Sequence, residues 1–550
     1  MTLLHLPSFG IDALLLVAGL GLLCGFRLLP RSPLRMLAAA GLAFMAGTAA
    51  VLLLTLALMT VGVPFGLPTV ALLSIIVAAA GVATALMGEG RRRGRRIARP
   101  SLDALLGPRD ARQAPSGGAR VEGERSAVRR AGPRALAGRL SADGWVIAVF
   151  VAIFGTFALV GLAKAAVTPL IAWDAWTMWM RKAAVLYHYG ALRPEFFAGE
   201  VYRFTSPDYP LLMPLWEAVH FRAMGGIDSV AIHVQFWVLL VGFFWAAAFL
   251  AHRVTRPAIW APVLLLAAAA PGVWGQLLTV YADVPMALFL GLGMLALGIW
   301  LAERRPGDLA LAALLLAAAA GTKNEGLMAA VAALAVAAVV VAFERGHPAR
   351  AALRPLGLAV AGFLALVAPW RIWVAANGVE GAIPVAQGLN PLYLAERTGR
   401  VPAAIAGLVD ALDDQTAWTY VLPLGVAVVL AALIAGAARR VALFYLGSMA
   451  LISAMIVWAY WIAPTELGWH IGTSVGRVST TVVFVALAGL LHLAGELEAF
   501  GRGSSTAAEG IEAAGRNAAD GRVPVEPARE HASASTRTSP EDVSQVSGLR

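Results

Sequence analysis

Charge is scarce in this chain. Only 14% of its 550 residues are Asp, Glu, Lys or Arg, against 59% hydrophobic residues and a mean hydropathy of +0.74. Soluble domains carry roughly 25% charged residues, so a soluble globular core is excluded and an integral membrane protein is implied. Cysteine is nearly missing as well. Cys24 stands alone in an apolar run, so no intramolecular disulfide and no cysteine-based metal site can form. Leu22-Leu23 before it lack the small residue that a lipoprotein cleavage site needs. No basic stretch precedes the first apolar segment. Arg27, Arg31 and Arg35 follow it instead, which predicts an uncleaved anchor with its N-terminus outside. A Walker loop, a dinucleotide-binding glycine pattern in a strand context and a His pair at metal spacing are missing, so ATP-driven pumping and NAD chemistry have no support. Serine hydrolysis finds none either.

The charges that are present are sorted. The net charge of +10 does not line a basic face of the kind that binds nucleic acid, because the arginines crowd into short loops and one linker. A membrane-crossing helix needs roughly 20 apolar residues, and about thirteen stretches qualify or nearly do. They are 11–29, 36–60, 68–88, 144–166, 230–251, 257–279, 284–302, 308–321, 326–343, 355–376, 418–437, 441–462 and 477–495. The 308–321 stretch is short, and 308–343 also reads as one helix interrupted at Lys323. Two spans are preferred because they place Arg304-Arg305 and the cluster Arg345, Arg350 and Arg354 on the same, cytoplasmic side. The remaining basic clusters then fall inside too.

This pattern predicts an all-α polytopic membrane protein in four parts. Residues 1–89 form three N-terminal helices, and 90–143 a disordered basic cytoplasmic linker. Residues 144–495 form the main membrane module, and 496–550 a disordered cytoplasmic tail. The outside loop of 167–229 is rich in aromatics, and its stretches Asp174 to Tyr189 and Leu211 to Met224 read as amphipathic helices lying at the membrane surface. A second outside segment, 377–417, reads as an acceptor-side loop.

Candidate chemistry gathers on the outside. Asp174 follows a span directly, where an ionised carboxylate is costly unless paired or used. Asp is also a favoured helix N-cap, and the neighbouring Trp173, Trp176 and Trp179 suit an interfacial belt. Arg181 and Lys182, about two turns later, add cations for an anionic substrate. Asp283, in Tyr281-Ala282-Asp283-Val284-Pro285, either starts a helix or shares with Asp174 the orienting and deprotonation of an acceptor hydroxyl. Lys323 and Glu325 sit in a turn between apolar helices. They read as a snorkelled pair or, for Lys323, as a phosphate contact. Arg477 opens the last span and suits bidentate phosphate binding. His470 is a base, a phosphate partner or an ordinary loop histidine. Asp208, in Thr205-Ser206-Pro207-Asp208-Tyr209-Pro210, is a further carboxylate or the start of a turn.

The loop acid after a span, the Pro-Asp-Tyr-Pro element, the outside Tyr-Ala-Asp and the Thr-Lys-Asn-Glu-Gly turn resemble the GT-C glycosyltransferases of the bacterial family 39/83 and protein O-mannosyltransferase type. The resemblance covers 144–495. It implies a polyprenyl-phosphate-linked sugar as donor, inverting transfer, and a lipid, glycan or protein acceptor at the periplasmic face of the bacterial inner membrane. It implies that Asp174 is the base or acceptor-orienting acid, Asp283 the second acid, and Lys323 and Arg477 the lipid-phosphate contacts. This chain departs from the pattern in having Ala175 in place of a second acid and three helices before the module. No cofactor is required, and no ligand spacing supports a divalent metal, which the chemistry would accept. The rival class is a secondary transporter or flippase, for which charges near the membrane midplane and an internal repeat are expected.

Overall fold

The computed structural model describes residues 5–30, 32–97, 141–344, 347–381 and 383–519. Most of the expected linker, 98–140, and the end of the tail, 520–550, lie outside them. Among the described residues the secondary structure is helical, with no strand. Ten helices among the described residues are long and apolar enough to cross a membrane. Pro257–Ala268 and Pro271–Leu277, bent by 53°, make up to eleven, and Pro306–Thr322 and Val421–Ala435 are apolar but shorter. Each expected apolar stretch falls on one of these elements.

The centre is the helix Asp283–Glu303, buried from Asp283 to Leu301. It is apolar on all sides, which suits a helix ringed by others. Pro306–Thr322, Ile232–Ala251, Asn324–Ala342 and Arg439–Ile462 pack around it. The three N-terminal helices Leu6–Gly25, Ala40–Thr60 and Leu67–Ile97 join through small residues. A Cβ on Gly19 would strike the backbone of Ala43, one on Gly47 that of Leu15, and one on Gly81 that of Gly21. Without side chains at these points the backbones approach closely, as in many membrane helix pairs. Ala40–Thr60 then packs on Ile232–Ala251 and Pro306–Thr322, so the N-terminal helices belong to one compact unit with the module, Met1–Glu498.

Ion pairs at two ends settle the path through Lys323. Lys323 meets Asp283 at one end of the central helix, while Arg304 at its other end pairs with Glu344. The chain therefore runs out along Asp283–Glu303, back along Pro306–Thr322 and out again along Asn324–Ala342. Arg304 and Glu344 share an end, as two separate spans require. Arg253 pairs there with Glu303 and Asp308, and Arg440 with Glu344.

Three expectations are corrected. The stretch Leu211 to Met224 forms the helix Leu212–Met224 but does not lie at a surface: Leu212 through Phe221 are all buried, against Leu6–Gly25, Ala40–Thr60 and Pro306–Thr322. Its charges mislead because Glu217 and His220 are themselves buried. The 377–417 segment is largely helical, as Pro391–Glu396, Arg400–Asp413 and Gln415–Trp418. Finally, the last helix runs from Thr480 to Ala519, and the helix Leu67–Ile97 continues beyond Glu89, so helix enters both segments expected to be disordered. Their Ala, Glu and Arg residues have high helix propensity even without apolar periodicity.

Candidate functional site

At the end away from Arg304, six separated segments bring charged side chains together. Asp174 precedes a π-helical turn, Ala175–Trp179, that leads into Met180–Tyr189. Its carboxylate makes no capping bond. Instead Oδ2 accepts from Arg477 Nη1 at 2.6 Å. Arg477 was expected to open the last span but lies in the last turn of the separate helix Leu467–Val478, before the last helix starts at Thr480; its guanidinium lies over the Tyr281 ring at 4.6 Å and its Nε donates to the Thr473 carbonyl at 3.2 Å. Among the described residues its Nη2 has no partner, which leaves two N–H donors for a ligand.

Asp283 is fully buried at the start of the central helix and is not its cap either. Its Oδ1 accepts from Lys323 Nζ at 2.6 Å, and Oδ2, 3.8 Å from Arg477, has no hydrogen bond. One buried carboxylate thus holds both expected phosphate contacts in place. Lys323 reaches it because it is the single extended residue between two helices, with φ −152° and ψ 154°. That break turns its side chain out of the helical stack. Nζ also lies 3.0 Å from Glu325. Burial disfavours the ammonium charge, but Asp283 and Glu325 outweigh it and hold the pKa above the ordinary lysine value. The Tyr209 hydroxyl donates to Glu325 at 3.4 Å. Burial, with Glu325, Asp208 and Asp283 nearby, keeps this phenol well above its usual pKa and therefore neutral.

Asp208 is placed beside this chain of contacts. Asn324 Nδ2 donates to Asp208 Oδ2 at 2.8 Å, and Arg371 Nη2 donates to Asn324 Oδ1 at 2.6 Å. The amide must face this way, since a guanidinium needs an acceptor and a carboxylate a donor. Asp208 Oδ1 is buried without a partner. Trp370 Nε1 donates to the Asp208 carbonyl at 3.2 Å.

The other candidates sit apart from these direct contacts. Lys182 is fully buried. Its Nζ donates to the Ser206 carbonyl at 2.6 Å and lies over the rings of Trp179 and Tyr209, at 5.2 and 5.6 Å. Burial pushes its pKa down to about 7, against the pull of Asp208. It supports the Pro-Asp-Tyr-Pro loop from beneath. Arg181 lies over Phe204 at 5.5 Å. His470 packs edge-on to Tyr460 and meets Thr465 Oγ1 at 3.2 Å. Trp173 and Trp469 stand exposed at this end.

Arg371 and Asn324 are the members that inspection of the sequence missed. Arg371 carried a signal, because a charge inside an apolar stretch, Trp370-Arg371-Ile372-Trp373, marks a site by its cost alone. The chain also has one Gly-x-Ser-x-Gly string, Gly472 to Gly476. It lies within a helix, and Ser474 Oγ bonds to the His470 carbonyl at 2.6 Å and the Tyr460 hydroxyl at 2.8 Å, so it forms no nucleophile elbow. Among the described residues no three His, Cys, Asp or Glu side chains are grouped to hold a metal ion. No protein-family model, curated protein or solved structure matches this chain.

Proposed function

We propose that this chain is a GT-C-like membrane glycosyltransferase of the bacterial plasma membrane, with its site on the periplasmic or outer face. It moves a sugar, with inversion, from a polyprenyl-phosphate donor to a hydroxyl of a lipid, glycan or protein acceptor. The observation that carries this reading is the chain Asp174–Arg477–Asp283–Lys323, which sets one accessible carboxylate beside two anchored cations at a single membrane face. In the step, the acceptor oxygen bonds to the anomeric carbon as the bond from that carbon to the phosphate oxygen breaks. The hydroxyl proton passes to Asp174. The electron pair leaves on the phosphate, where Arg477 and Lys323 stabilise the charge. Attack opposite the departing phosphate inverts the carbon.

The 2.6 Å pair adds an ordering device to this scheme. A donor phosphate competes with Asp174 for Arg477, and by taking the guanidinium it frees the carboxylate to turn to the acceptor. Asp283 stays behind to hold both cations.

The test is incubation of the purified protein with a panel of polyprenyl-phosphate hexoses, following release of polyprenyl phosphate. Release with at least one donor, lost in Asp174→Asn, supports the reading. A transporter or flippase is the second reading, favoured by the buried Asp12, Glu217 and His220, which a proton-coupled carrier would use. It predicts that lipid-linked sugar changes leaflet without being consumed.

A further inference from the structure

At the end opposite Asp174, the helices Asn324–Ala342 and Arg439–Ile462 enclose a groove of about 900 Å³. Val336, Val339, Val340, Phe343, Leu443 and Leu451 line it, and Gly447 forms part of its floor, where a Cβ would stand 3.0 Å from Val336. Val339, Phe343, Leu443 and Leu451 are exposed. Both helices are candidate spans, so a surrounding bilayer would set these side chains against hydrocarbon, and the occupant they suit is a lipid chain. The rim is cationic. Arg304, Arg440 and Arg439 gather around a single carboxylate, Glu344, which pairs with the first two. Arg439 is exposed and has no partner among the described residues. Arg304 Nη1 is buried without one. The helix Arg439–Ile462 also begins here with no side-chain cap, so its first N–H groups and positive dipole end point to the same place.

We propose that this groove is a binding site for an anionic glycerophospholipid, with one acyl chain along the groove and the phosphate held by Arg439, Arg440 and the first turn of their helix. The lipid donor of the proposed reaction is a poorer fit. Asn324–Ala342 is 19 residues long, so the rim lies roughly 28 Å from Lys323, at the other membrane face. The inference rests on the membrane-spanning reading and not on the transferase assignment.

The experiment is native mass spectrometry of the full chain with phosphatidylglycerol and phosphatidylethanolamine of identical acyl chains, offered in equal amounts. The unmodified protein is expected to retain phosphatidylglycerol over phosphatidylethanolamine by on the order of 10-fold, since each basic residue near a membrane surface contributes measurably. Arg439→Gln with Arg440→Gln should bring that ratio close to one, whereas Arg439→Lys with Arg440→Lys should keep it. Gly447→Leu should fill the groove and reduce retention of both lipids, independently of the arginines. Equal retention of the two lipids by the unmodified protein would overturn the proposal. So would an equal loss on Arg305→Gln, a neighbouring exposed arginine outside the groove, or displacement of phosphatidylglycerol by an equal amount of polyprenyl phosphate.

Discussion

Asp174 and Asp283 are both acids at the mouth of a helix, yet their surroundings separate their roles. Asp174 keeps part of its side chain accessible and touches one cation, while Asp283 is sealed between two. Replacing Asp174 by Asn preserves shape and removes the base, so turnover of lipid-linked sugar should fall by on the order of 10²–10⁴. An unchanged rate in a correctly inserted protein would make Asp174 a partner of Arg477 alone. Arg477→Ala and Lys323→Ala should give partial losses seen mainly as weaker use of the donor, because each removes a cation from the departing phosphate. Lys182 makes a prediction about stability. Its folded pKa, about 7, lies below the ordinary lysine value of 10.5. Between these values the unfolded chain binds more protons than the folded one, so this group's contribution favours folding increasingly as pH rises from 7 towards 10.5. The unfolding midpoint of the unmodified protein should therefore rise across that window relative to Lys182→Met. Parallel curves for the two would show that Lys182 does not titrate there.

Helices in this molecule are positioned by what they lack at their contacts. Gly19 and Gly47 let Leu6–Gly25 and Ala40–Thr60 touch backbone to backbone, so a larger residue has no flexible neighbour to push aside. Gly47→Leu should lower stability by about 1–3 kcal/mol or more through overpacking, read as a lower unfolding midpoint in detergent. Gly155 lies in a helix with nothing within 4 Å of a built Cβ. Gly155→Ala should thus be neutral or slightly stabilising, and equal losses in the two variants would remove the packing explanation. The Lys323 break works the other way. One extended residue interrupts two apolar helices and aims a charged side chain at Asp283, which a continuous helix would not do.

Across the whole molecule, charge is divided between two ends. The Asp174 network holds acids and bases in near balance at one end, while Arg253, Arg304, Arg305, Arg439 and Arg440 gather at the other. By the positive-inside rule, we propose that the second end is the cytoplasmic one. With Cys24 replaced by Ala, Glu195→Cys should react with an impermeant thiol reagent in intact cells, and Arg305→Cys only after the membrane is opened. Both side chains are exposed in the fold. The reverse pattern would place the Asp174 network in the cytoplasm and remove the proposed reaction with it.

Hydropathy by itself determined that the chain is helical and membrane-spanning, because each span must satisfy its backbone internally and present apolar side chains over a fixed length. The short polar interruptions also marked Asp174, Asp208, Asp283, Lys323 and Arg477, since charges near hydrocarbon stand out against so apolar a background. What the linear pattern could not carry was pairing. That Asp174 meets Arg477 across more than half the chain, and that Asn324 links Arg371 to Asp208, depends on which helix ends are neighbours. Burial was equally hidden for Leu212–Met224, whose Glu217 and His220 look like a solvated face until the N-terminal helices close over them. Spans of nearly uniform hydrophobicity do not encode their neighbours by polarity. Close packing of small and large side chains decides that, and it exists only in the assembled bundle.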